Sequence, residues 1–262
     1  QYKDFAVYQD HMYRSGQMDV QERYWVDQMT RPGPVVPLDI PADFIPSREM
    51  SHTMGKYKFS AGQKLTRDIK TLVDSTGTTL YMNLMAALFI LLHKYSGQTD
   101  IVIGTGVAGR THADLQEIIG FFINLLSLRC FPEPQKTYKQ FLQEVRDVSI
   151  GAYDNQDYQF EKLVEKLKPR RNRFRNPLFQ VSLTLQNFRS PDTVPRDRQD
   201  QAPVDSFEMQ QTTMDVDLNF LVFDMNSTID FHMDYAVELY KPQTAKQMAD
   251  DFLTVLHALA QD

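Results

Sequence analysis

The segment Gly104–Gly109 carries the most recognisable chemical pattern in the chain. Its sequence GTGVAG matches G-x-G-x-x-G directly after a predicted strand. In dinucleotide-binding proteins this pattern places backbone amides at a helix N-terminus around a pyrophosphate. Here the context fails, because few helical residues precede Gly120 and the next strand ends in Arg129 and Cys130, without an acid for a ribose. We therefore interpret the segment as a glycine-rich turn and expect no nicotinamide or flavin.

The histidines offer no metal site. All six are dispersed, with no H-E-x-x-H or H-x-H pair, so we expect no bound metal ion. His232 and Asp234 share one face of a predicted strand and could act together as a general base. No serine or cysteine nucleophile motif accompanies them, so an exposed or satisfied pair on a half-buried strand is the favoured interpretation.

Basic side chains are concentrated in the stretch Lys162–Arg175, where the only acid is Glu165. This basic stretch could face a phosphate or an acidic partner, or it could simply be a solvated surface. Just before it, Asn155–Glu161 ends one helix and begins another. Asp157 is the predicted cap of the second helix, because a carboxylate there accepts hydrogen bonds from free backbone amides.

The overall composition is that of a globular chain. With 262 residues, 42% of them hydrophobic, it can bury a core. A net charge of -6 argues against nucleic acid as a partner. The lone cysteine, Cys130, excludes a disulfide framework and favours a reducing, cytoplasmic location. The apolar run 80–92 is shorter than the roughly 20 residues that span a bilayer, so we expect no membrane partner.

Helices and strands are interleaved without a repeat, which predicts an α/β (α+β) sandwich in which helices cover a mixed sheet. Capping boxes at Ser60–Gln63 and Thr137–Gln140 predict two helix starts. Five prolines within 32–46 predict an extended tether, and the polar stretch 189–206 predicts a mobile loop. The other predicted helices are 2–15, 19–30, 80–92, 160–167 and 242–259, and the predicted strands are 52–59, 100–107, 122–130, 179–185, 216–223 and 228–235.

Four segments in order resemble motifs of the condensation domains of nonribosomal peptide synthetases. Tyr2–Tyr8 (YKDFAVY) resembles Y-x-D-[FY]-A-V-W, and Ile119–Leu125 (IGFFINL), followed by Arg129, resembles [IV]-G-x-F-V-N-T. Asn155–Glu161 (NQDYQFE) resembles [HN]-Q-D-x-P-F-E, and Arg171–Leu178 (RNRFRNPL) resembles R-D-x-S-R-N-P-L. The segment 100–110 is also typical of this family, whereas an epimerization domain would show E-G-H-G-R-E near 107–110.

The sequence departs from these motifs in two ways. Four positions differ: Leu125 replaces threonine, Gln159 proline, Asn172 aspartate and Phe174 serine. In addition, the family's H-H-x-x-x-D-G motif, which carries the catalytic histidine, is absent from these residues. The resemblance therefore implies a C-terminal lobe alone, with leading helices and tether in 1–50, the lobe in 51–262, and no catalytic residue. The start at Gln1 likewise predicts a fragment of a longer protein.

The resemblance implies a lobe like chloramphenicol acetyltransferase, paired in a V with an N-terminal lobe around a tunnel. Carrier proteins deliver substrates on phosphopantetheine arms, and an acceptor amine attacks a donor thioester to form an amide. The implied partners are the N-terminal lobe and the acceptor peptidyl carrier protein, and no cofactor binds directly. The isolated chain is predicted to be inactive. A catalytically silent module that recruits a carrier or partner enzyme, and an acyltransferase of the same superfamily, remain open.

The resemblance also implies roles for individual residues. One set belongs to the tunnel or its supporting motifs, and for its asparagine we favour a structural role: Gly120, Phe121, Asn124, Arg129, Gln156 and Asp157. Of these, Gln156 and Asp157 are predicted to fix a helix start. A second set could contact a carrier protein or the other lobe: Arg110, Arg171, Arg173, Arg175 and Asn176.

Overall fold

The computed structural model describes residues 1–45, 53–169, 175–186 and 215–261. The helices are α1 (Tyr2–Arg14), α2 (Asp19–Thr30), α3 (Gly62–Thr76), α4 (Leu80–Ser96), α5 (Tyr138–Asp154), α6 (Phe160–Leu167) and α7 (Pro242–Leu259). The strands are β1 (Met54–Ser60), β2 (Ile101–Val107), β3 (Asn124–Cys130), β4 (Val181–Gln186), β5 (Leu218–Asp224) and β6 (Ile229–Ala236). The predicted loop 189–206 lies outside the described residues.

The six strands form one mixed sheet in the order β1-β6-β5-β4-β2-β3. β4 runs parallel to both β2 and β5, while the remaining neighbours are antiparallel. The sheet order is far from the chain order, because β1 pairs with the last strand and β4 inserts between β2 and β5. The predicted mixed sheet with helices on it is confirmed.

One face of the sheet, here the helix-covered face, packs against α3, α4, α5 and α7. Strand alternation places Val181, Leu183 and Phe220 on this face. The Phe252 ring of α7 lies 5.5 Å from the Phe220 ring and 5.6 Å from that of Phe231. Helix α4 has most of its side chains buried, as its apolar sequence predicts. This face holds the main core.

The opposite face is only partly covered. At the β2–β3 end, α2 and α6 approach the sheet, and α6 packs on β3. Across β4, β5, β6 and β1, no helix in the described part of the chain packs on this side. We call this region the open face, and cross-strand register places the following side chains on it: Ser182, Thr184, Asn219, Leu221, Phe223, Asp230, His232, Asp234, Lys56 and Lys58.

Several local predictions need correction. The capping box at Ser60–Gln63 is wrong: α3 begins at Gly62 after Ala61 with no side-chain cap, and Ser60 Oγ accepts only from the Gly62 amide, at 3.2 Å. The box at Thr137–Gln140 is confirmed. Phe179 was predicted to continue the apolar side of β4, but the strand starts at Val181. The Phe179 ring packs instead over Gly104 on the other side of the sheet.

Candidate functional site

Asn124, at the start of β3, ties together two of the motif segments. Its Nδ2 donates to the carbonyl oxygens of Gln156 and Tyr158, at 2.8 and 2.9 Å. Its Oδ1 accepts from the backbone amides of Leu125, at 2.9 Å, and Phe160, at 3.1 Å. A buried amide that uses both donors and its acceptor oxygen in this way fixes the chain around it. The side chain thus joins β3 to the start of α6.

The predicted cap of α6 is wrong. Gln159 is the residue before the helix, and the free amide of Phe160 bonds to Asn124 rather than to Asp157. The Asp157 carboxylate instead accepts from the Thr111 hydroxyl at 3.2 Å, and Gln156 Nε2 donates to the Tyr153 carbonyl at 2.8 Å. The physical reason is that Gln159 occupies the N-cap position, and the side chains of Gln156 and Asp157, which precede it, have partners elsewhere.

Beside this junction lies a cavity of about 450 Å³ between α1 and the sheet, which we call the α1 cavity. It brings together Asn124, Gln156 and Asp157 of the predicted site. The remaining lining residues come from α1, the turn after β2, and the approaches to β3 and α6: Phe5, Tyr8, Gln9, Met12, Met18, Gly109, Thr111, His112, Asp114, Leu115, Phe122 and Gln159.

Gly120, Phe121 and Arg110 of the predicted site lie beside the α1 cavity but are not among its described lining residues. Gly120 abuts the Tyr2 ring, since a Cβ there would lie 2.2 Å from Tyr2 Cδ2, and the Tyr2 hydroxyl donates to the Phe121 carbonyl at 2.7 Å. Arg110 stacks over the Phe122 ring at 4.2 Å and donates to the carbonyl of Leu115. Arg110 therefore has partners inside the lobe.

The prediction that the whole segment Gly104–Gly109 forms a turn is wrong. Gly104 and Gly106 lie within β2, and only Gly109 adopts a turn conformation, with φ at +63°. A Cβ on Gly109 would lie 1.8 Å from the Phe122 carbonyl oxygen, so this position also requires close approach of two backbones. Both constraints at Gly109 are met without a nucleotide.

Arg129 is a structural anchor. Its side chain is 1% exposed, and it meets Asp100 in a bidentate pair, with Nε–Oδ1 at 2.7 Å and Nη2–Oδ2 at 2.6 Å. Its Nη1 donates to the carbonyls of Gln28 and Gly33, at 3.2 and 2.9 Å. The planar guanidinium suits this fork geometry, and it fastens the end of α2 and the start of the tether to the sheet.

Arg175 and Asn176 also have partners inside the lobe. Arg175 Nε lies 3.1 Å from Asp217 Oδ1, and burial raises the pKa of that carboxyl to about 6, although the guanidinium opposes the shift. The Asn176 side chain accepts from the amides of Leu178 and Phe179, at 3.0 and 3.2 Å. Arg171 and Arg173 lie outside the described residues.

A hydrogen-bonded polar row crosses the open face. Ser182 Oγ lies 2.9 Å from Asn219 Oδ1, and Asn219 Nδ2 donates to Asp234 Oδ2 at 3.0 Å. Lys56 Nζ lies 3.7 Å from the same carboxylate. Asn219 and Asp234 are buried, yet they point to the side of the sheet without helices. Each buried polar group of the row is paired with its neighbour, as buried polar groups must be.

His232 and Asp234 do not form a hydrogen-bonded pair. The His232 ring lies 4.7 Å from the Phe223 ring, whereas Asp234 bonds to Asn219. Burial and the charges of Lys58 and Lys56 lower the pKa of His232 below its ordinary value. The structure therefore gives no support to a general-base pair at this position.

An apolar ridge leads away from the open face. Four alternate residues along the chain into β3 share an exposed side: Ile119, Phe121, Ile123 and Leu125. Ile119 is 96% exposed and Phe121 72%. Large apolar side chains that are exposed close together in the chain are candidates for an interaction surface.

The sequence-based reasoning missed Ser182, Asn219 and Asp217. The signal for the first two was present, because the predicted strand 179–185 alternates, with Ser182 and Thr184 on its polar side. Asn219 likewise interrupts an apolar strand. Nothing in the sequence indicated that these two strands would be neighbours, since they are parallel and far apart in the chain.

The condensation-domain family model matches residues 1–262, so the chain belongs to the condensation-domain family. Gramicidin S synthase 2 of Brevibacillus brevis is 39% identical over 259 residues, which cover 99% of this chain and 6% of the synthase. Tyrocidine synthase 2 of Brevibacillus parabrevis is 39% identical over 262 residues, covering 99% of this chain and 7% of that synthase. The chain is thus similar to condensation domains of antibiotic-producing peptide synthetases, and it spans a small fraction of these relatives.

Solved structures show the same fold. The X-domain from teicoplanin biosynthesis, in its complex with OxyB, gives a TM-score of 0.83 at 22% identity, covering 100% of this chain and 58% of that chain. A four-domain nonribosomal peptide synthetase bound to AMP and glycine gives 0.78 at 22% identity, covering 92% of this chain and 19% of that chain. These likenesses confirm the predicted fold of the chloramphenicol acetyltransferase type.

In the described ranges, no single helix is long and apolar enough to cross a membrane. The pair Gly62–Thr76 and Leu80–Ser96 passes the same length and composition test only when taken together, and the two helices are bent by 106°.

Proposed function

We propose that this chain is the C-terminal, acceptor-side lobe of a nonribosomal peptide synthetase condensation domain. In this proposal it forms one wall of a tunnel in which a carrier-bound amine attacks a carrier-bound acyl thioester. Its own residues position the substrates and the second lobe, while the catalytic histidine belongs to the N-terminal lobe. The chain alone is therefore inactive. The burial of its lone thiol, Cys130, is in keeping with a cytosolic enzyme.

The open face is the observation that supports this proposal most strongly. Across β4, β5, β6 and β1 it presents a buried, internally paired polar row with no helix over it among the described residues, and the exposed apolar ridge lies beyond it on the approach to β3. Polar side chains that are already hydrogen-bonded to each other need little reorganisation free energy when a substrate binds, because their geometry is already fixed. A ridge of exposed apolar side chains gains free energy when a second lobe covers it.

The partners in this proposal are the N-terminal lobe and the acceptor peptidyl carrier protein with its phosphopantetheine arm. Three described side chains of the basic stretch already pair within the fold: Lys162 with Glu165, Lys166 with Glu22, and Arg175 with Asp217. Carrier docking by this stretch would therefore use its remaining cations, which are Lys168, Arg170, Arg171 and Arg173. Arg171→Glu with Arg173→Glu should weaken carrier binding at low salt and change it less at high salt.

The lobe interface can be tested by changing the ridge. Ile119→Asp with Phe121→Asp should weaken association with a separately produced N-terminal lobe at least about tenfold, because two charges would be buried. The matched control is Val20→Asp with Val36→Asp, since both valines are exposed apolar residues elsewhere on the surface. Equal affinities for the two double variants, measured by calorimetry, would contradict the assignment of the ridge.

A silent recruitment module is the alternative. The X-domain that shares this fold has been solved in complex with OxyB, a protein partner. That likeness is one of fold only, whereas the 39% identity is to synthetases. A parent sequence without H-H-x-x-x-D-G ahead of this chain would favour recruitment, and its presence would favour the enzyme.

A further inference from the structure

Residues 38–45 of the proline-rich tether are attached to the lobe at both ends, and we call this segment the strap. At its start, the Leu38 amide donates to Gln180 Oε1 at 2.8 Å, and the Asp39 amide donates to Gln98 Oε1 at 2.7 Å. The Leu38 side chain is also buried. All of these contacts join uncharged groups, so they do not themselves change with pH.

The end of the strap is attached at the start of α7. The Asp43 carboxylate accepts from the Lys241 amide at 2.8 Å, and the Asp43 amide donates to the Leu239 carbonyl at 2.9 Å. The Lys241 ammonium lies over the Phe44 ring, 5.5 Å from its centre. The hydrogen bond from the Lys241 amide holds the pKa of Asp43 below its ordinary value. This carboxylate therefore stays ionised, and the end of the strap stays attached, above about pH 4.

The strap and a buried ion pair line one cavity of about 300 Å³. The whole strap contributes to its wall, and the described lining residues outside the strap are Arg175, Asp217 and Tyr240. Asp217 and Tyr240 are buried. Because the strap forms the rest of the wall, it is the part of the chain whose movement would admit water to Asp217.

Asp217 has few partners in this cavity. Its Oδ1 atom accepts no hydrogen bond from the described residues, although Arg175 Nε lies 3.1 Å away. Arg175 is the one cation among the described lining residues. The other titratable groups that face the cavity are Asp39, Asp43 and Tyr240. A buried carboxylate in such surroundings is costly when it is ionised. Burial accordingly raises the pKa of Asp217 to about 6, although Arg175 opposes the shift.

We infer that the strap is a proton-linked cover: residues 38–42 close over the Arg175–Asp217 pair when the Asp217 carboxyl is protonated and lift from it when the carboxyl is ionised, with Asp43 as the hinge. Lifting brings water to the carboxylate and removes the cost of burying its charge. The buried apolar side chains of the strap oppose lifting, so the closed form is the major one and proton release raises the population of the open form.

Lifting of the strap should also loosen the motif segment Arg171–Leu178. Gln180 joins the strap to this segment, because its Oε1 accepts from the Leu38 amide while its Nε2 donates to the Asn176 carbonyl at 3.4 Å. The first of these bonds is lost when Leu38 moves away. The strap, its hinge and the carboxyl all belong to this chain, so the inference stands apart from the proposed function.

The ratio of open to closed strap should follow the charge of Asp217. The pKa of this carboxyl is about 6 in the closed form, whereas the ordinary value for a solvated aspartate is 3.8. The ratio should therefore be lowest below about pH 3.8, rise by up to about a hundredfold as pH approaches about 6, and stay level above about pH 7.

Amide hydrogen exchange of the whole chain, read by NMR and expressed as protection factors between about pH 4 and about pH 8, measures this ratio. In the wild type, protection of the Leu38 and Asp39 amides should fall by up to about a hundredfold over this range, while protection of the Asp43 amide should change little. In Asp217→Asn, the Leu38 and Asp39 amides should keep the same protection at every pH. Asp74→Asn, at an exposed acid of α3, is the matched control and should behave as the wild type does.

Three results would overturn the inference. The first is protection at Leu38 and Asp39 that does not depend on pH in the wild type, and the second is the same pH dependence in Asp217→Asn. The third is an equal fall in protection at the Asp43 amide or at Phe220 in β5, because more than the strap would then be opening.

A second variant keeps the test decisive if Asp217→Asn does not fold. Arg175→Leu removes the cation that opposes the pKa shift of Asp217, so it should move the midpoint of the change in protection above about pH 6. An unchanged midpoint in a folded Arg175→Leu chain would contradict the strap assignment. None of these measurements involves a substrate or a carrier protein, so their failure is distinct from failure of the proposed function.

Discussion

The two faces of the sheet differ in whether the described residues of this chain pack against their side chains. On the helix-covered face, Phe220 and Phe231 pack against Phe252 of α7, so the chain supplies both halves of the contact. On the open face, Asn219 and Asp234 are paired with each other, yet no helix in the described residues lies over them. One face is thus packed within the described residues, whereas the other is the surface that the N-terminal lobe of our proposal would cover.

The two faces should therefore contribute differently to stability and to function. Side chains on the helix-covered face should carry most of the free energy of unfolding, because they bury apolar area within the chain. Side chains on the open face should matter mainly when the N-terminal lobe and substrates are present. Substitutions at neighbouring positions of one strand can therefore distinguish the two roles.

The largest expected effect is on the helix-covered face. Phe220→Ala should lower the free energy of unfolding by about 3–5 kcal/mol, because it leaves a cavity beneath Phe252. Leu221→Ala, the adjacent residue on the half-buried open face, should cost about 1 kcal/mol in the isolated chain. Urea unfolding measures the loss in free energy of unfolding for each variant. Similar losses at the two positions would show that side chains on the open face are also packed within this chain.

The second largest effect is expected at Arg129, which lies where α2 and α6 cover one end of the opposite face. Arg129→Ala should cost about 3 kcal/mol, because it leaves Asp100 and the carbonyls of Gln28 and Gly33 without their buried partner. Arg129→Lys should recover only part of this, since an ammonium cannot form the bidentate pair. Arg67→Ala, at an exposed arginine, is the control and should change little. A loss below about 0.5 kcal/mol for Arg129→Ala would contradict the anchor.

A smaller, pH-dependent effect is expected at Asp217. Its pKa of about 6 lies above the ordinary value of 3.8, so the unfolded state releases the proton first as pH rises. The stability that this group contributes is therefore full below about pH 3.8 and is lost as pH rises through about 6, by at most about 3 kcal/mol. Asp217→Asn should flatten this part of the pH profile, whereas Asp68→Asn, on the surface, should not. An unchanged profile for Asp217→Asn would show that the carboxyl titrates normally.

The sequence could predict most elements but not their arrangement. The apolar run 80–92 and the segment 242–259, which starts at Pro242, each predicted a helix that the structure contains, because both signals are local in the chain. Strand order could not be predicted, since β1 meets β6 through contacts that are distant in the chain. The start of α6 was assigned to Asp157 for the same reason: its true partner, Asn124, comes from a different strand.

The candidate site shows the same limit. Motif order pointed to Asn124, Gln156 and Asp157, and the structure brings these three together at the α1 cavity. The partners of Arg129 and Arg175 could not be read from the sequence, because Asp100 and Asp217 approach them only across the folded sheet. Motif order along the chain therefore predicted side chains that lie together in the fold, but it did not predict the partners of Arg129 and Arg175.

The most direct test of the central claim is amide formation by the two lobes together. Donor and acceptor aminoacyl carrier proteins are incubated with this chain, with the N-terminal lobe that carries H-H-x-x-x-D-G, and with both, and the dipeptide is measured by mass spectrometry. We expect no dipeptide above the uncatalysed rate from either lobe alone, and turnover when they are combined. Dipeptide formed by this chain alone, or none formed by a tightly associated pair, would contradict this expectation.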